Sequence, residues 1–268
     1  NNHLFSGNLH MTTGDDELTC NLPFNEFIYN GISVDYSQNW NLTSLPLQIN
    51  EYPCFNMDES TLYSFGNEGY INATIDVMEI GIGYWLRFEE AETCTFSGNF
   101  LNEATIILND DWNLIGSISS PVDVNTIIDE YNLIVPGTVY GFDDGYFVAE
   151  TIEPGHGYWM RSTGDGEITL TFGVSARVAP RDYSLKDKAN TLSINGSELY
   201  FGIELPDGER LTYSLPPKPP VGAFDVRFKD GWRAVKDYGI VEVMPTTETL
   251  TIAYDIMLSA GEHRNWVL

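Results

Sequence analysis

Three features of the 268-residue sequence predict an all-β protein of tandem β-sandwich-like modules, two related repeats followed by a distinct carboxyl-terminal β-sandwich. Its 24 Gly and 13 Pro fall between short apolar runs rather than in one tract, which is the punctuation of many strands joined by turns. Aromatic anchors recur at a nearly constant spacing, the mark of a duplicated unit. After about Val174 those anchors stop and another strand pattern takes over. The length suits two or three domains, each able to bury its own core. With 43% hydrophobic and 13% aromatic residues, the composition excludes a disordered chain.

Taken in order, residues 1–36 read as a partial or preceding β segment, because Phe5-Ser6-Gly7-Asn8 matches Phe96-Ser97-Gly98-Asn99 at the close of the first repeat. The first unit is expected over 37–101 and the second over 102–175. Trp40-Asn41-Leu42 returns 72 residues later as Trp112-Asn113-Leu114, and Gly83-Tyr84-Trp85-Leu86-Arg87 returns 74 residues later as Gly157-Tyr158-Trp159-Met160-Arg161. Between these anchors, Tyr63-Ser64-Phe65 with Gly69-Tyr70 answers Tyr140-Gly141-Phe142 with Gly145-Tyr146. Aromatics alternating around a short acidic turn predict a hairpin. Further strands are expected at 32–36, 104–108, 146–150 and 168–172 from their apolar alternation or runs. One short helix is expected over 124–131, with Ser120 as its cap, Pro121 at the first helical position and Asp123 at the positive end.

Residues 176–190, of mixed charge after Ala179-Pro180, read as a linker. The domain 191–268 then predicts strands at 191–194, 199–205, 223–228, 239–244, 250–256 and 265–268. Leu215-Pro216-Pro217-Lys218-Pro219-Pro220 offers no amide donor at four positions and is expected as an extended crossover or edge segment.

Charge narrows the partners. Thirteen Lys+Arg against 39 Asp+Glu give a formal net charge of −26, which disfavours nucleic acid and anionic membrane surfaces. No apolar run is long enough for membrane insertion. The chain begins at Asn1 without a charged-then-apolar leader and reads as a mature or excised piece. Cys20, Cys54 and Cys94 match no zinc or redox spacing and allow one disulfide in any of three pairings.

Two kinds of site are candidates. Trp40, Tyr84, Trp85, Trp112, Tyr158 and Trp159 have the flat apolar faces of a sugar-binding platform, or else fill the core, with Gly83 and Gly157 letting a backbone pass close to an indole. Because neighbours on a strand face opposite ways, one ring of each Tyr-Trp pair points inward and the other is the better ligand candidate. Acidic turns at 15–17, 109–111, 143–145 and 165–167 offer oxygen ligands of the kind calcium needs, with Asp143 and Asp144 favoured because they cap the repeated hairpin. Catalysis is not expected: His3, His10, His156 and His263 are scattered, His156 stands where the other repeat has Ile82, and no nucleophile elbow, phosphate loop or zinc pattern occurs. Three Asn-x-Ser/Thr triplets, at Asn41, Asn72 and Asn195, match the glycan-acceptor pattern by chance.

The Trp-Asn-Leu to Gly-x-Gly-Tyr-Trp unit, present twice, and Leu199-Tyr200-Phe201-Gly202 with the stretch 213–228 (Tyr-Ser-Leu-Pro-Pro-Lys-Pro-Pro-Val-Gly-Ala-Phe-Asp-Val-Arg-Phe) resemble pieces found near the carboxyl ends of large proteins exported by the bacterial type IX secretion system. That resemblance implies an extracellular or surface-attached location and β-sandwich modules that accompany other functional domains, with no catalytic residues. The sequence departs from such proteins in ending at Trp266-Val267-Leu268, before their usual sorting domain. The expected role is a structural or adhesive spacer, stalk or assembly element, partnered by other domains of its parent, neighbouring surface proteins or copies of itself. Carbohydrate binding through exposed repeat aromatics is the alternative.

Overall fold

The computed structural model describes residues 11–13, 16–18, 31–51, 62–66, 68–173, 182–206, 208–237 and 239–257. The fold is all-β, and among these residues helical structure is confined to single 3-10 turns. No described helix is long and apolar enough to cross a membrane. A short hairpin, β1 (Met11–Thr13) and β2 (Asp16–Leu18), comes first. The echo at Phe5-Ser6-Gly7-Asn8 and the predicted strand at 265–268 lie outside the described residues.

The first repeat comprises β3 (Gly31–Tyr36), β4 (Asn39–Ser44), β5 (Leu47–Glu51), β6 (Leu62–Gly66), β7 (Gly69–Asn72), β8 (Gly83–Phe88) and β9 (Glu92–Phe100). Its sheets, β3-β9-β5 and β4-β8-β6-β7, enclose a core that includes Val34, Tyr36, Leu47, Leu62, Tyr84, Leu86 and Phe96. The second repeat follows the same plan with β10 (Glu103–Leu108), β11 (Asp111–Ile115), β12 (Val122–Asp123), β13 (Tyr140–Phe142), β14 (Tyr146–Val148), β15 (Thr151–Ile152), β16 (Tyr158–Ser162) and β17 (Gly166–Thr171). Here β11-β16-β13-β14 forms the four-stranded sheet, and β10-β17 with β12-β15 complete the module around Ile106, Leu108, Ile118, Ile152, Tyr158, Met160 and Leu170.

Strand pairing moves the start of the first repeat from residue 37 to Gly31. β3 pairs with β9 from Gly31↔Ser97 to Tyr36↔Glu92, as β10 pairs with β17. The sequence echo starts one strand late because these opening strands share only an apolar alternation, Val34 and Tyr36 against Ala104, Ile106 and Leu108, and carry no repeated ring. The expected helix at 124–131 is also corrected. Val122 is buried and pairs with Ile152 in β12, so Ser120 precedes a strand; Asp123 instead accepts the Asn125 N–H (2.8 Å) and caps one 3-10 turn, Val124–Thr126. Burial of Val122 overrides the local helix signals.

The third module holds β18 (Asn190–Ile194), β19 (Ser197–Phe201), β20 (Asp225–Phe228), β21 (Ala234–Val235), β22 (Val241–Met244) and β23 (Ile252–Asp255). A four-stranded sheet, β21-β19-β18-β23, faces the pair β20-β22 across Leu192, Ile194, Leu199, Phe224, Val226 and Phe228. Strand β19 ends at Phe201, short of the expected 205, where Gly202 takes φ 77°. Part of the expected linker is not a spacer: Leu185 and Ala189 are buried against Tyr200, Tyr213 and Ala234. The one disulfide that three cysteines allow involves the buried Cys94; Cys20 and Cys54 lie outside the described residues.

Candidate functional site

The repeated Tyr-Trp pairs occupy both faces of a strand, and both faces are covered. In β8, Tyr84 sits opposite Thr43 and points into its own repeat's core, while Trp85 sits opposite Leu42 and points out through the other face. Tyr158 and Trp159 divide in the same way on β16. Of the two readings of these rings, the structure gives the core-filling one for Tyr84, Trp85, Tyr158 and Trp159, and the second ring of each pair is not left open to a ligand, because the outer faces of the two repeats close on each other. Trp85 and Trp159 are 0% exposed, Tyr84 and Tyr158 are buried, and none of the four presents a face to a sugar. Trp40 and Trp112 are half-buried at the margin of the same seam.

Several contacts across the seam come in pairs related by an approximate internal two-fold, as in a symmetric dimer. Trp85 stands T-shaped to Phe142 at 4.7 Å between centroids, and Trp159 to Phe65 at 4.7 Å. Trp40 meets Trp85 edge-on at 6.3 Å, and Trp112 meets Trp159 at 6.4 Å. On the backbone, Ser44 N–H donates to Gly155 O and Gly116 N–H to Gly81 O, both at 2.9 Å. Gly83 and Gly157 do not make room for an indole, as expected, but for the other repeat's main chain: a Cβ at Gly83 would lie 2.5 Å from Ile115 O, and one at Gly157 2.8 Å from Thr43 O.

Two further members of the repeated motif, not singled out from sequence, shape its loops. Asn41 accepts the Ser37 N–H and donates to Ser37 O and Asn39 O, closing a turn in which Asn39 has φ 75°. Asn113 repeats this with Asn109 and Asp111 (φ 76°). The hydroxyls of Tyr84 and Tyr158 accept the Glu79 and Glu153 amides, each at 2.9 Å. The signal for these roles was their identical position in both copies.

Across the open side of the seam runs the proline-rich segment of the third module. Its carbonyls accept from one ring after another: Ser214 O from Tyr140 (3.2 Å), Pro217 O from Tyr146 (2.9 Å), Lys218 O from Tyr70 (2.8 Å) and Val221 O from the Trp40 indole (3.1 Å). Leu215 joins the aromatic cluster. Chain that cannot donate to a sheet thus becomes a strap of acceptors over a platform of donors, the chemistry by which aromatic grooves hold polyproline strands. From beneath, buried Arg227 donates to Pro216 O (2.6 Å) while gripping buried Asp225 through Nε (2.5 Å) and Nη2 (2.7 Å). Asp225 and Arg227, two apart on β20, share one face.

The strap breaks the two-fold symmetry. Trp85 donates its indole N–H to Tyr70 Oη (3.2 Å), whereas Trp159 Nε1 is buried without an acceptor among the described residues. Burial pushes the phenols of Tyr36, Tyr70, Tyr140 and Tyr146 well up, and that of Tyr158 to about 12.

Two grooves flank the seam as two-fold counterparts. One, of about 260 Å³, is lined by Asp35, Asn41, Phe142, Asp143, Glu153 and His156. Burial lowers the His156 pKa, opposed by a hydrogen bond to the Leu42 backbone and by the Asp143 charge, and its ring lies 5.6 Å from that of Tyr36. The other groove, of about 320 Å³, is lined by Phe65, Ile82, Ile107, Trp112, Leu114 and Pro217, with Asn109, Asp110, Asp111 and Asn113 alongside. His3, His10 and His263 lie outside the described residues.

Asp143 and Asp144 sit at the tip of the β13-β14 hairpin. Asp143 N–H donates to Gly145 O (3.0 Å) and Asp144 has φ 47°, so the turn is organised by its own backbone. They line a cleft of about 300 Å³ with Asn195, Ser197 and Glu198. Among the described residues no three His, Cys, Asp or Glu side chains are grouped as metal ligands. No family model, no curated protein and no solved structure matches this chain.

Proposed function

We propose that this chain is a non-catalytic structural module, a rigid spacer or assembly element of a larger secreted protein on a bacterial cell surface. The observation that carries this reading is the use of the repeated rings: they join repeat to repeat and both repeats to the third module, instead of lining an open site. A spacer needs fixed angles between modules, and four ring-to-carbonyl hydrogen bonds provide them at the junction with the third.

Location draws support from the resemblance of the repeat and the proline-rich stretch to type IX export substrates, and from the disulfide at Cys94, since such bonds persist in oxidising surroundings. An assembly role draws support from β23. Ile252 and Tyr254 pair with buried Ile194 and Leu192, and so share the core face of the sheet, yet they are 56% and 65% exposed on an edge strand. Apolar side chains beside unpaired strand amides are what a neighbouring protein or a second copy would cover.

The test combines a broad glycan array with small-angle scattering of the whole chain. A null array and one fixed particle shape are expected. Saturable glycan binding, or scattering that requires freely moving modules, would overturn the proposal.

A further inference from the structure

The two-fold relation of the seam makes one half of the platform a guide to what the other half can hold. Trp40 and Trp112 are counterparts, as are Tyr63 and Tyr140, and Tyr70 and Tyr146. The resident strap draws on Tyr140, Tyr146, Tyr70 and Trp40. It leaves the Trp112 indole N–H without an acceptor among the described residues, and beside that ring lies a groove of about 320 Å³ lined by apolar Phe65, Ile82, Ile107, Leu114 and the strap's own Pro217 together with Asn109, Asp110, Asp111 and Asn113. We propose that this groove is a second seat for a proline-rich strand: it binds an extended, proline-containing peptide bearing Lys or Arg, one carbonyl of which accepts the Trp112 N–H as Val221 O accepts that of Trp40.

Three features select this occupant. The groove is continuous with an existing polyproline contact, since Pro217 forms part of its wall. Proline residues leave no amide donor unsatisfied where they lie against Phe65, Ile82 and Ile107, and a polyproline strand is already extended before binding. The rim carries Asp110 and Asp111 just before Trp112; among the described residues Asp111 is paired at 2.8 Å with Arg161, which also lies 5.7 Å from the Trp112 ring centroid, and Asp110 has no ion pair. The resident strap shows the same preference, its Lys218 meeting Glu242 at 2.8 Å. The counterpart groove differs by carrying Asp35 and His156 in place of Ile107 and Ile82, so it lacks those two aliphatic side chains.

The experiment titrates the whole chain with a synthetic copy of residues 214–221 and with the same peptide carrying Ala for each Pro, followed by NMR of the indole N–H signals. The expected result is saturable binding of the proline peptide that shifts the Trp112 signal, and loss of about tenfold or more in affinity in Trp112→Phe, which keeps the ring and removes the donor. Ile107→Lys, at a position 67% exposed and therefore tolerant of change, is expected to abolish binding by filling the groove and repelling the peptide's cation. No saturation at millimolar peptide, equal binding of the Ala peptide, or unchanged affinity in both variants would overturn the proposal. So would faster hydrogen exchange of the 214–222 amides on peptide binding, because the peptide would then be displacing the strap from the first seat.

Discussion

The indole of Trp85 stands at 76° to the ring of Phe142, 4.7 Å away across the boundary between the repeats, and neither repeat alone could bury it. Trp85→Ala is therefore expected to destabilise the protein by about 3–5 kcal/mol, the cost of truncating a large core aromatic. Denaturant unfolding measures it; a change within about 0.5 kcal/mol, as at surface positions, would show that the seam does not hold the repeats together.

Conversion to Phe separates the counterparts. Trp85→Phe removes a part-buried hydrogen bond to Tyr70, whereas Trp159→Phe removes a donor that has no partner among the described residues. The first should cost about 1 kcal/mol more than the second, the worth of one such bond. Equal losses would mean that Trp159 Nε1 finds an acceptor in solution.

Removing one member of the buried Asp225–Arg227 pair strands the other's charge. Asp225→Asn or Arg227→Met should each cost about 3–5 kcal/mol, and Arg227→Lys should not restore the loss, because an ammonium cannot hold a carboxylate through two parallel bonds and reach Pro216 O as well. Unfolding of the three variants checks this.

Tyr70→Phe deletes an acceptor for Trp85, a donor to Lys218 O and the hydrogen bond with Tyr146; Tyr146→Phe deletes a donor to Pro217 O and that same bond with Tyr70. Hydrogen exchange at the amides of 214–222 is expected to accelerate in both, and more in Tyr70→Phe. Exchange as slow as in the parent chain would mean that the strap is held by its apolar contacts alone.

His156 makes stability depend on pH. Its folded pKa is below the unfolded value, so the unfolded chain binds more protons, and stability that is full above about pH 6.5 is lost as pH falls through the folded pKa. Melting temperatures between pH 8 and 5.5 should fall less in His156→Ile, the residue that the first repeat carries at Ile82. Parallel slopes would place the pH sensitivity elsewhere.

The repeated motifs and their hairpins are legible because rings and glycines recur at fixed offsets, and the structure forms both expected hairpins, with Tyr63 opposite Asn72 and Tyr140 opposite Val148. What the alternation of Tyr84 and Trp85 could not convey is that the second face is covered as well: period two shows that a strand has two faces, not what lies against each. The strap posed the same problem. Four prolines announce chain that does not donate, but the partners of its carbonyls, such as the Tyr70 and Tyr146 hydroxyls, lie 148 and 71 residues away in sequence. The opening strand Gly31–Tyr36 carries no repeated ring, so the motif spacing alone does not tie it to the first unit, and its pairing with Glu92–Phe100 does.

The hydrogen bond from Trp40 to Val221 spans 181 residues, and its surroundings are contributed by both repeats. The strap therefore has nowhere to lie until the two earlier units have folded and met, so the last module can dock only onto a correctly completed predecessor. A molecule with a defective repeat would therefore display a loose, proline-dense ribbon and a bare aromatic floor, features that a protease could sense.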